Sequence, residues 1–178
     1  TLLPELQGLA EYRHLVIDYA EDGGFKNKRS DFALLGADYA INARFSASSR
    51  LGVEHRRRSG AGGDSLPYAE LGLKLDYAGD SYVSVGYGYS VEETSNIELY
   101  SDMSVNRFFA NVQQRIASRL VAAGSVTWAP SRLHGRPGVR ADQDETNTQT
   151  GLALTFQPSK RWSVSATFDY DHIDSDDA

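Results

Sequence analysis

The chain has 178 residues, which is enough for one domain of ordinary size and too few for two large ones. Its formal net charge of -6 and pI near 5.2 argue against a nucleic-acid-binding protein, which normally carries a basic patch. No cysteine is present, so the sequence excludes disulfides, thiolate metal ligands and cysteine nucleophiles.

No run of apolar residues approaches the roughly 18 that a membrane-spanning helix needs, and the mean hydropathy is -0.44. Neither measure detects a membrane-spanning β-sheet, because only alternate residues of each strand meet lipid there. Residues 1–4 (TLLP) lack the charged start, apolar stretch and cleavage site of a signal peptide. We therefore expect that a signal peptide has been removed or that the chain is part of a longer protein.

Most of the chain alternates apolar and polar side chains, and this period of two predicts extended strands. Residues 1–10 show weak helical spacing that Gly8 interrupts, and we assign them no element. The predicted strands cover residues 11–20, 33–41, 45–54, 68–77, 82–91, 107–116, 120–128, 152–156 and 162–170. In the first of these, Leu15, Ile17 and Tyr19 are expected on the apolar side.

Tight turns and long polar segments alternate between the predicted strands. The tight turns are predicted at residues 42–44, 79–80, 118–119 and 157–161. The long segments are predicted at 21–30, 55–66, 92–102 and 129–146, and an acidic tail at 174–178 ends the chain. Short connections at one end of a meander and long ones at the other are typical of outer-membrane barrels.

The hairpin of residues 68–91 is the clearest element. Its strands are each about ten residues long, and a tilted strand of roughly 9–11 residues spans a bilayer. Residues 108–120 are less clear, because Val112, Ile116 and Leu120 also fit a helix at a spacing of four. We predict strands there, since the alternation continues through Trp128.

These patterns predict an all-β protein, an antiparallel up-and-down transmembrane β-barrel with about eight to ten strands in this chain. Residues 1–178 form one barrel domain or part of a larger barrel, with residues 1–10 unassigned. The apolar side would face lipid, which predicts lipid-facing positions at Leu35, Leu71, Leu73, Leu75, Val83, Val85, Tyr87, Leu152, Leu154, Val164 and Phe168.

The other side of the strands combines small residues with charges of both signs. Glycine inside a strand weakens a solvent-exposed sheet, but inside a barrel it leaves room for long charged side chains. The predicted pore-lining residues are Asp38, Arg50, Glu54, Glu70, Lys74, Asp76, Arg107 and Arg115. Aromatic residues beside the tight turns predict an interfacial girdle of Tyr39, Phe45, Tyr77, Tyr82, Phe156 and Trp162.

The segment from Phe156 to Asp171 (FQPSKRWSVSATFDYD) resembles the repeated hairpin of Gram-negative outer-membrane β-barrel proteins of the porin type, and residues 77–89 are similar. The resemblance implies location in the outer membrane, with outer-membrane lipid and lipopolysaccharide as surroundings. Such barrels usually end in an aromatic residue and have an even number of strands. This chain ends in Asp176-Asp177-Ala178 with an odd predicted count. We expect that it is part of a larger barrel, with further barrel strands from elsewhere, and the alternatives are several chains that share one barrel or a strand count that differs from the predicted one.

Three functions follow from this fold. The first is a passive pore or a scaffold for export. The second is a barrel sheath that binds a protein partner or a polysaccharide-export component in its lumen. The third is a soluble β-barrel that binds a small apolar ligand, since the same alternation arises with the faces reversed.

No catalytic residue, metal site or cofactor is predicted, and we do not expect an enzyme. Clustered aspartates at 169–177 could suggest calcium, but Ile173 interrupts the ligand order and a solvated acidic segment fits better. The four histidines lie on different predicted elements without ligand spacing. Arginines at 56–58, with Arg132, Arg136 and Arg140, could bind lipopolysaccharide phosphates in a bidentate manner or could simply be solvated.

Overall fold

The computed structural model describes residues 5–17, 28–58, 62–94, 99–159 and 161–175, and every regular element in them is a β-strand. The strands are β1 (Leu6–Ile17), β2 (Lys28–Ala40), β3 (Phe45–Arg58), β4 (Gly63–Ala78), β5 (Ser81–Glu92), β6 (Tyr100–Ala117), β7 (Leu120–Gly135), β8 (Gln143–Ser159) and β9 (Trp162–Ser175). The prediction of an all-β protein is confirmed, including strands rather than a helix at residues 108–120.

All nine strands form one sheet in sequence order, and every neighbouring pair is antiparallel. The up-and-down arrangement is therefore confirmed. Strands β1 and β9 are its two edges, and no Cα atom of one lies within 8 Å of a Cα atom of the other. Across the described residues the sheet is open. Because the number of strands is odd, β1 and β9 run in the same direction.

The predicted tight turns lie together at one end of the sheet, which we call the turn end. They join β2 to β3, β4 to β5, β6 to β7 and β8 to β9. In the first, the Asn42 side chain accepts hydrogen bonds from the amides of Arg44 and Phe45, both at 2.9 Å. In the second, Asp80 rather than Gly79 adopts the left-handed conformation, with φ of 57°.

At the opposite end, which we call the connection end, two of the connections are much shorter than predicted. The predicted loop at 55–66 is wrong, because β3 and β4 continue to Arg58 and from Gly63. The predicted loop at 129–146 is wrong for the same reason, and only residues 136–142 separate β7 from β8. Backbone pairing continues where the apolar alternation ends, since a ladder needs only a partner strand and not apolar side chains.

Other predicted boundaries at this end also shift. Residues 28–30 of the predicted 21–30 loop and residues 100–102 of the predicted 92–102 loop belong to strands. Residues 18–27, 95–98 and 176–178, which cover the rest of the first loop, part of the second loop and the end of the acidic tail, lie outside the described residues. The connection end is consequently less distinct from the turn end than the sequence suggested.

The registers divide the strand residues between two faces, because directly opposite residues point to the same side of an antiparallel sheet. We call the side with Leu35, Leu71 and Val85 the apolar face, and the side with Asp38 and Glu70 the polar face. The apolar face carries large hydrophobic side chains on all nine strands, exposed by 37% to 72%. Examples are Tyr12, Leu35, Leu51, Leu71, Val85, Phe108, Trp128, Leu152 and Trp162.

Strand β1 differs from its prediction. It begins at Leu6, within the unassigned residues, and ends at Ile17. Leu15 lies opposite Ser30 and Ile17 opposite Lys28, so both occupy the polar face rather than the expected apolar one. Residues 18–20, including Tyr19, lie outside the described residues. Both sides of β1 carry polar and apolar residues, so alternation alone does not identify which side belongs to the apolar face.

The sheet curves with the polar face inside. A cleft of about 540 Å³ is lined by residues of six successive strands, β1 to β6. In a flat sheet, strands spaced about 4.8 Å apart would place β3 and β6 roughly 14 Å from each other. The Arg56 Nη1 of β3 nevertheless lies 3.2 Å from Asp102 Oδ1 of β6. The polar face is therefore concave at the connection end.

Glycines on the polar face allow long neighbouring side chains to lie across the strands. A Cβ atom at Gly52 would lie 2.0 Å from the Ala33 carbonyl oxygen and 2.8 Å from Leu34 Cδ2. At Gly88 the nearest atoms would be 3.9 Å away. The close approach at Gly52 thus involves backbone, which cannot move aside as a side chain tip can.

Gly52→Ala should lower the free energy of unfolding by about 1–3 kcal/mol, because the added methyl group overpacks the contact with Ala33 and Leu34. Gly88→Ala, on the same face, should change it by less than about 1 kcal/mol. Chemical denaturation followed by circular dichroism measures both. Equal effects of the two substitutions would contradict the close packing at Gly52.

Candidate functional site

The polar face contains all eight predicted pore-lining residues. The registers place Asp38, Arg50, Glu54, Glu70, Lys74, Asp76, Arg107 and Arg115 on this one side of the sheet. This placement brings together charges that are far apart in the sequence, and it makes the polar face the candidate site.

Most charges on the polar face are paired with opposite charges. The Arg50 guanidinium donates to both carboxylate oxygens of Asp38 at 2.9 Å. Arg107 donates to Glu92 at 3.1 Å, and Arg115 donates to Asp80. Lys74 pairs with Asp76 at 2.8 Å. The eight charges of these four ion pairs offset one another.

A buried ionic cluster occupies the connection end of the polar face. Arg56 is 3% exposed and donates to both oxygens of Glu54 at 2.9 Å. It also contacts Asp102 at 3.2 Å and the Val91 carbonyl oxygen at 2.5 Å. Ser30, fully buried, donates to Glu54 at 2.6 Å. We call these five residues the Arg56 cluster.

The Arg56 cluster connects strands that are not neighbours. Ser30 is on β2, Glu54 and Arg56 on β3, Val91 on β5 and Asp102 on β6. Nearby, Lys28 of β2 pairs at 3.0 Å with Glu93, which follows β5. A buried guanidinium is tolerated only when its donors are satisfied by carboxylates or carbonyls. The cluster meets this condition and holds β3 against β5 and β6 across the concave side.

The few buried hydrophobic side chains of the described residues are Leu34, Val91, Tyr100, Val105, Ala129 and Leu133. Leu34, Val105 and Leu133 lie on the polar face toward the connection end. A soluble barrel would enclose Leu71 and Leu73 in its interior. In this sheet each of them is instead 44% exposed. The described sheet therefore has no enclosed apolar interior built from its main hydrophobic stripes.

All the predicted lipid-facing residues lie on the apolar face. The registers place Leu35, Leu71, Leu73, Leu75, Val83, Val85, Tyr87, Leu152, Leu154, Val164 and Phe168 there together. Five of the six predicted girdle residues, Tyr39, Phe45, Tyr77, Phe156 and Trp162, are on the same face near the turn end. Tyr82 is on the polar face instead, with the Lys74 ammonium 4.8 Å from its ring centroid.

A second row of aromatic side chains was not predicted. Tyr12, Phe108, Trp128 and Tyr170 lie on the apolar face toward the connection end, and all are at least 43% exposed. The Phe108 and Trp128 rings are 5.4 Å apart. Sequence reasoning used tight turns as landmarks, so it found only the row beside them. The sequence signal that could have revealed the second row is the spacing from Trp162 to Tyr170, two aromatic residues at opposite ends of one predicted strand.

The two aromatic rows bound a band that we call the apolar belt. Trp162 and Tyr170 are eight residues apart on β9, which corresponds to roughly 27 Å along a strand at about 3.4 Å per residue. With a tilt of about 40° the height falls to roughly 20 Å, close to the apolar band of about 25 Å in outer-membrane barrels.

Beyond the apolar belt, three strands bring polar groups together. Asp31 accepts hydrogen bonds from Tyr12 Oη at 2.6 Å and from His14 Nδ1 at 2.7 Å. These two contacts hold the pKa of Asp31 below its ordinary value. His55 lies directly opposite Asp31 on the other side. The sequence showed His14 and His55 on separate elements, and only the register brings them beside one carboxylate.

Other candidate sites do not assemble. Asp169 and Asp171 lie on the polar face but Asp174 lies on the apolar face, while Asp176 and Asp177 are outside the described residues. The same alternation separates Asp171 from His172. Among the described residues, no group of three or more His, Cys, Asp or Glu side chains is placed to hold a metal ion.

The arginines proposed for lipopolysaccharide divide between the faces. Arg56 is buried in its cluster, so its side chain is neither solvated nor open to a phosphate group. Arg57 is exposed on the apolar side of the sheet, and the side chain of Arg58 lies outside the described residues. Arg132 is paired with Asp142 at 3.2 Å.

No protein family, curated protein or solved structure shows a significant match to the chain. In the described parts of the structure there is no helix that is long and apolar enough to cross a membrane.

Arg56→Ala should lower the free energy of unfolding by about 3–5 kcal/mol, because it leaves the buried carboxylate of Glu54 without its cation. Arg115→Ala removes an ion pair between largely exposed groups and should lower it by at most about 1 kcal/mol. Denaturant midpoints of the two variants provide the comparison. Similar midpoints would show that the Arg56 cluster is solvated in solution.

Proposed function

We propose that this chain forms a transmembrane β-sheet of a Gram-negative outer membrane, acting as part of a barrel that is a passive pore or a scaffold for export. The observation that carries the proposal is the apolar belt, which continues across nine strands between two aromatic rows. Its side chains face lipid in this proposal, and the polar face surrounds water.

The exposed apolar surface supports contact with lipid. Soluble monomers rarely expose continuous apolar patches larger than a few hundred Å². Here every strand contributes exposed large hydrophobic side chains on one face, including Leu35 at 70% and Trp162 at 72%. Hydrocarbon would cover this face, while the aromatic rows would lie at the two interfaces, where Trp and Tyr are enriched.

The polar face suits an aqueous lumen with weak ion selectivity. Its charges are of both signs and mostly paired, as in Arg50–Asp38 and Lys74–Asp76. A balanced lumen favours neither cations nor anions strongly. The Arg56 cluster would narrow the lumen at the connection end, because it spans from β2 to β6 across the concave side.

Barrel closure requires more strands than the described sheet provides. In hydrocarbon, the unpaired backbone groups of an edge strand are costly, so spanning sheets close on themselves. Since β1 and β9 run in the same direction, an odd number of further antiparallel strands would close the sheet with antiparallel pairs throughout. These strands would come from further parts of the protein or from a partner.

A second candidate function is a sheath that binds a protein partner or a polysaccharide-export component. The specific observation is the cleft of about 540 Å³ on the polar face, lined among others by Asp38, Glu70, Lys74 and Phe109. These groups offer charges, hydrogen bonds and an aromatic surface to a polar polymer. The soluble barrel with an apolar ligand is not favoured, because the described sheet encloses no apolar cavity of that kind.

Single cysteines test the orientation of the faces, since the chain contains none of its own. In lipid vesicles, Ser84→Cys on the polar face should react with a water-soluble maleimide. Val85→Cys, its neighbour on the apolar face, should react only after detergent or denaturant is added. Mass spectrometry measures the labelled fraction. Equal labelling of both positions in vesicles would contradict insertion in the membrane.

Planar-bilayer recording tests the pore. The chain, completed by any strands needed for closure, should conduct with a weak preference between cations and anions, because its luminal charges are paired. Arg56→Ala should increase the conductance by removing part of the constriction. Absence of conductance in an inserted protein would remove the pore and leave the scaffold and sheath functions.

A further inference from the structure

We propose that Arg29 and Arg57 form a binding site for the phosphate group of a membrane lipid, on the apolar side of the sheet just beyond the apolar belt. The inference rests on the proposed membrane location and specifies one lipid contact within it. The ligand class is a phosphate monoester at the headgroup level of the bilayer.

The register places the two guanidinium groups side by side. Arg29 of β2 is directly opposite Arg57 of β3, so their β-carbons are about 4.5–5.5 Å apart. Like charges in directly opposite positions destabilise a sheet. A dianion bound between them would reverse this effect, because each guanidinium presents a fork of donors that matches phosphate oxygens.

The charge of Arg57 acts on the nearby Asp31 and Tyr12. The side chains of Arg29 and Arg57 are both exposed, and no hydrogen bond or ion pair joins them to a group in the described part of the chain. Arg56 directly precedes Arg57 in the chain, but its side chain is buried on the other face of the sheet. Arg132 is paired with Asp142. Among the arginine side chains that the structure describes on β2 and β3, Arg29 and Arg57 therefore differ from Arg50 and Arg56, which are both in ion pairs.

The surroundings keep the pair accessible. Gly63 of β4 lies directly opposite Arg57. A Cβ atom at Gly63 would lie 3.1 Å from His55 Cε1 and 3.5 Å from Arg57 Cγ. The His55 ring and the Arg57 stem therefore lie over Gly63, which has no side chain of its own to cover the guanidinium groups. On the other side, Val16 lies opposite Arg29.

The neighbouring row contains one acid, Asp31, flanked by His14 and His55. Its carboxylate accepts hydrogen bonds from Tyr12 and His14. Asp31 offsets one positive charge and would repel an anion placed against it. The two arginines still leave a net positive charge of one.

The height of the site selects a lipid as the source of phosphate. Arg57 follows Val53, the last large apolar residue of β3 on this face, by four residues. That separation is about 13 Å along the strand, and a long arginine side chain can reach back toward the interface. The guanidinium groups therefore reach the headgroup region, which is roughly 5–8 Å thick on each side of the hydrocarbon core.

The test compares two charge-matched double variants of the full chain in neutral detergent micelles. Arg29→Gln with Arg57→Gln removes the site. Arg44→Gln with Arg161→Gln removes two exposed arginines at the turn end and serves as the control. Native mass spectrometry with equal amounts of phosphatidic acid and phosphatidylcholine measures the lipid retained.

The wild type and the control should retain one phosphatidic acid in preference to phosphatidylcholine. Each substitution at the site should weaken this binding about tenfold, as expected for the loss of a charge-assisted hydrogen bond. Unchanged retention in the Arg29 and Arg57 variant would overturn the proposal. Inorganic phosphate that displaces phosphatidic acid at equal concentration would overturn the choice of a lipid.

The cysteine labelling described above separates this proposal from the membrane assignment. If Val85→Cys is protected in vesicles but the site variant retains phosphatidic acid as the control does, the phosphate site fails and the membrane assignment stands. If Val85→Cys is labelled in vesicles as readily as Ser84→Cys, the membrane assignment fails, and the lipid site fails with it.

Discussion

The antiparallel register, which shifts only beside three of the tight turns and near the start of β6, is the constraint on which the rest of the structure depends. Each residue in a ladder shares its face with the residue opposite. The pairing of two strands therefore determines which residues of the next strand lie on each face, and this holds across all nine strands. A shift by one residue would move the hydrophobic set of a strand to the other side. Because the register holds from β1 to β9, alternation in the sequence becomes one apolar face and one polar face of the whole sheet.

The curvature of the sheet makes the polar face concave and brings residues of non-neighbouring strands into contact. The buried guanidinium of Arg56 reaches from β3 to β6, and small residues such as Gly52 let side chains lie across the backbone. Both features are on the concave side. The concentration of buried groups at the connection end gives that end an interior, whereas the remaining polar face is open and its charges are satisfied in pairs. This difference suits a lumen that narrows at one end.

Much of the fold could be predicted from residue patterns. The hairpin of residues 68–91 combines clean alternation with a turn at residues 79–80, so its strands and their faces follow directly. The segments at 55–66 and 129–146 could not be predicted as strands, because they contain many polar residues without a regular apolar alternation and their pairing is a backbone property. Leu15 and Ile17 were placed on the wrong face, since mixed residues on β1 do not distinguish the two sides.

The amino-acid sequence by itself determined the type of structure, the tight turns and the apolar and polar sides of eight strands, because these depend on local periodicity and on turn residues. Only the tertiary structure decided which distant residues meet. The burial of Arg56 within a run of three arginines, the row of His14, Asp31 and His55, and the opposed pair of Arg29 and Arg57 all depend on strand register and sheet curvature. These are relations between segments far apart in the chain, and no local pattern contains them.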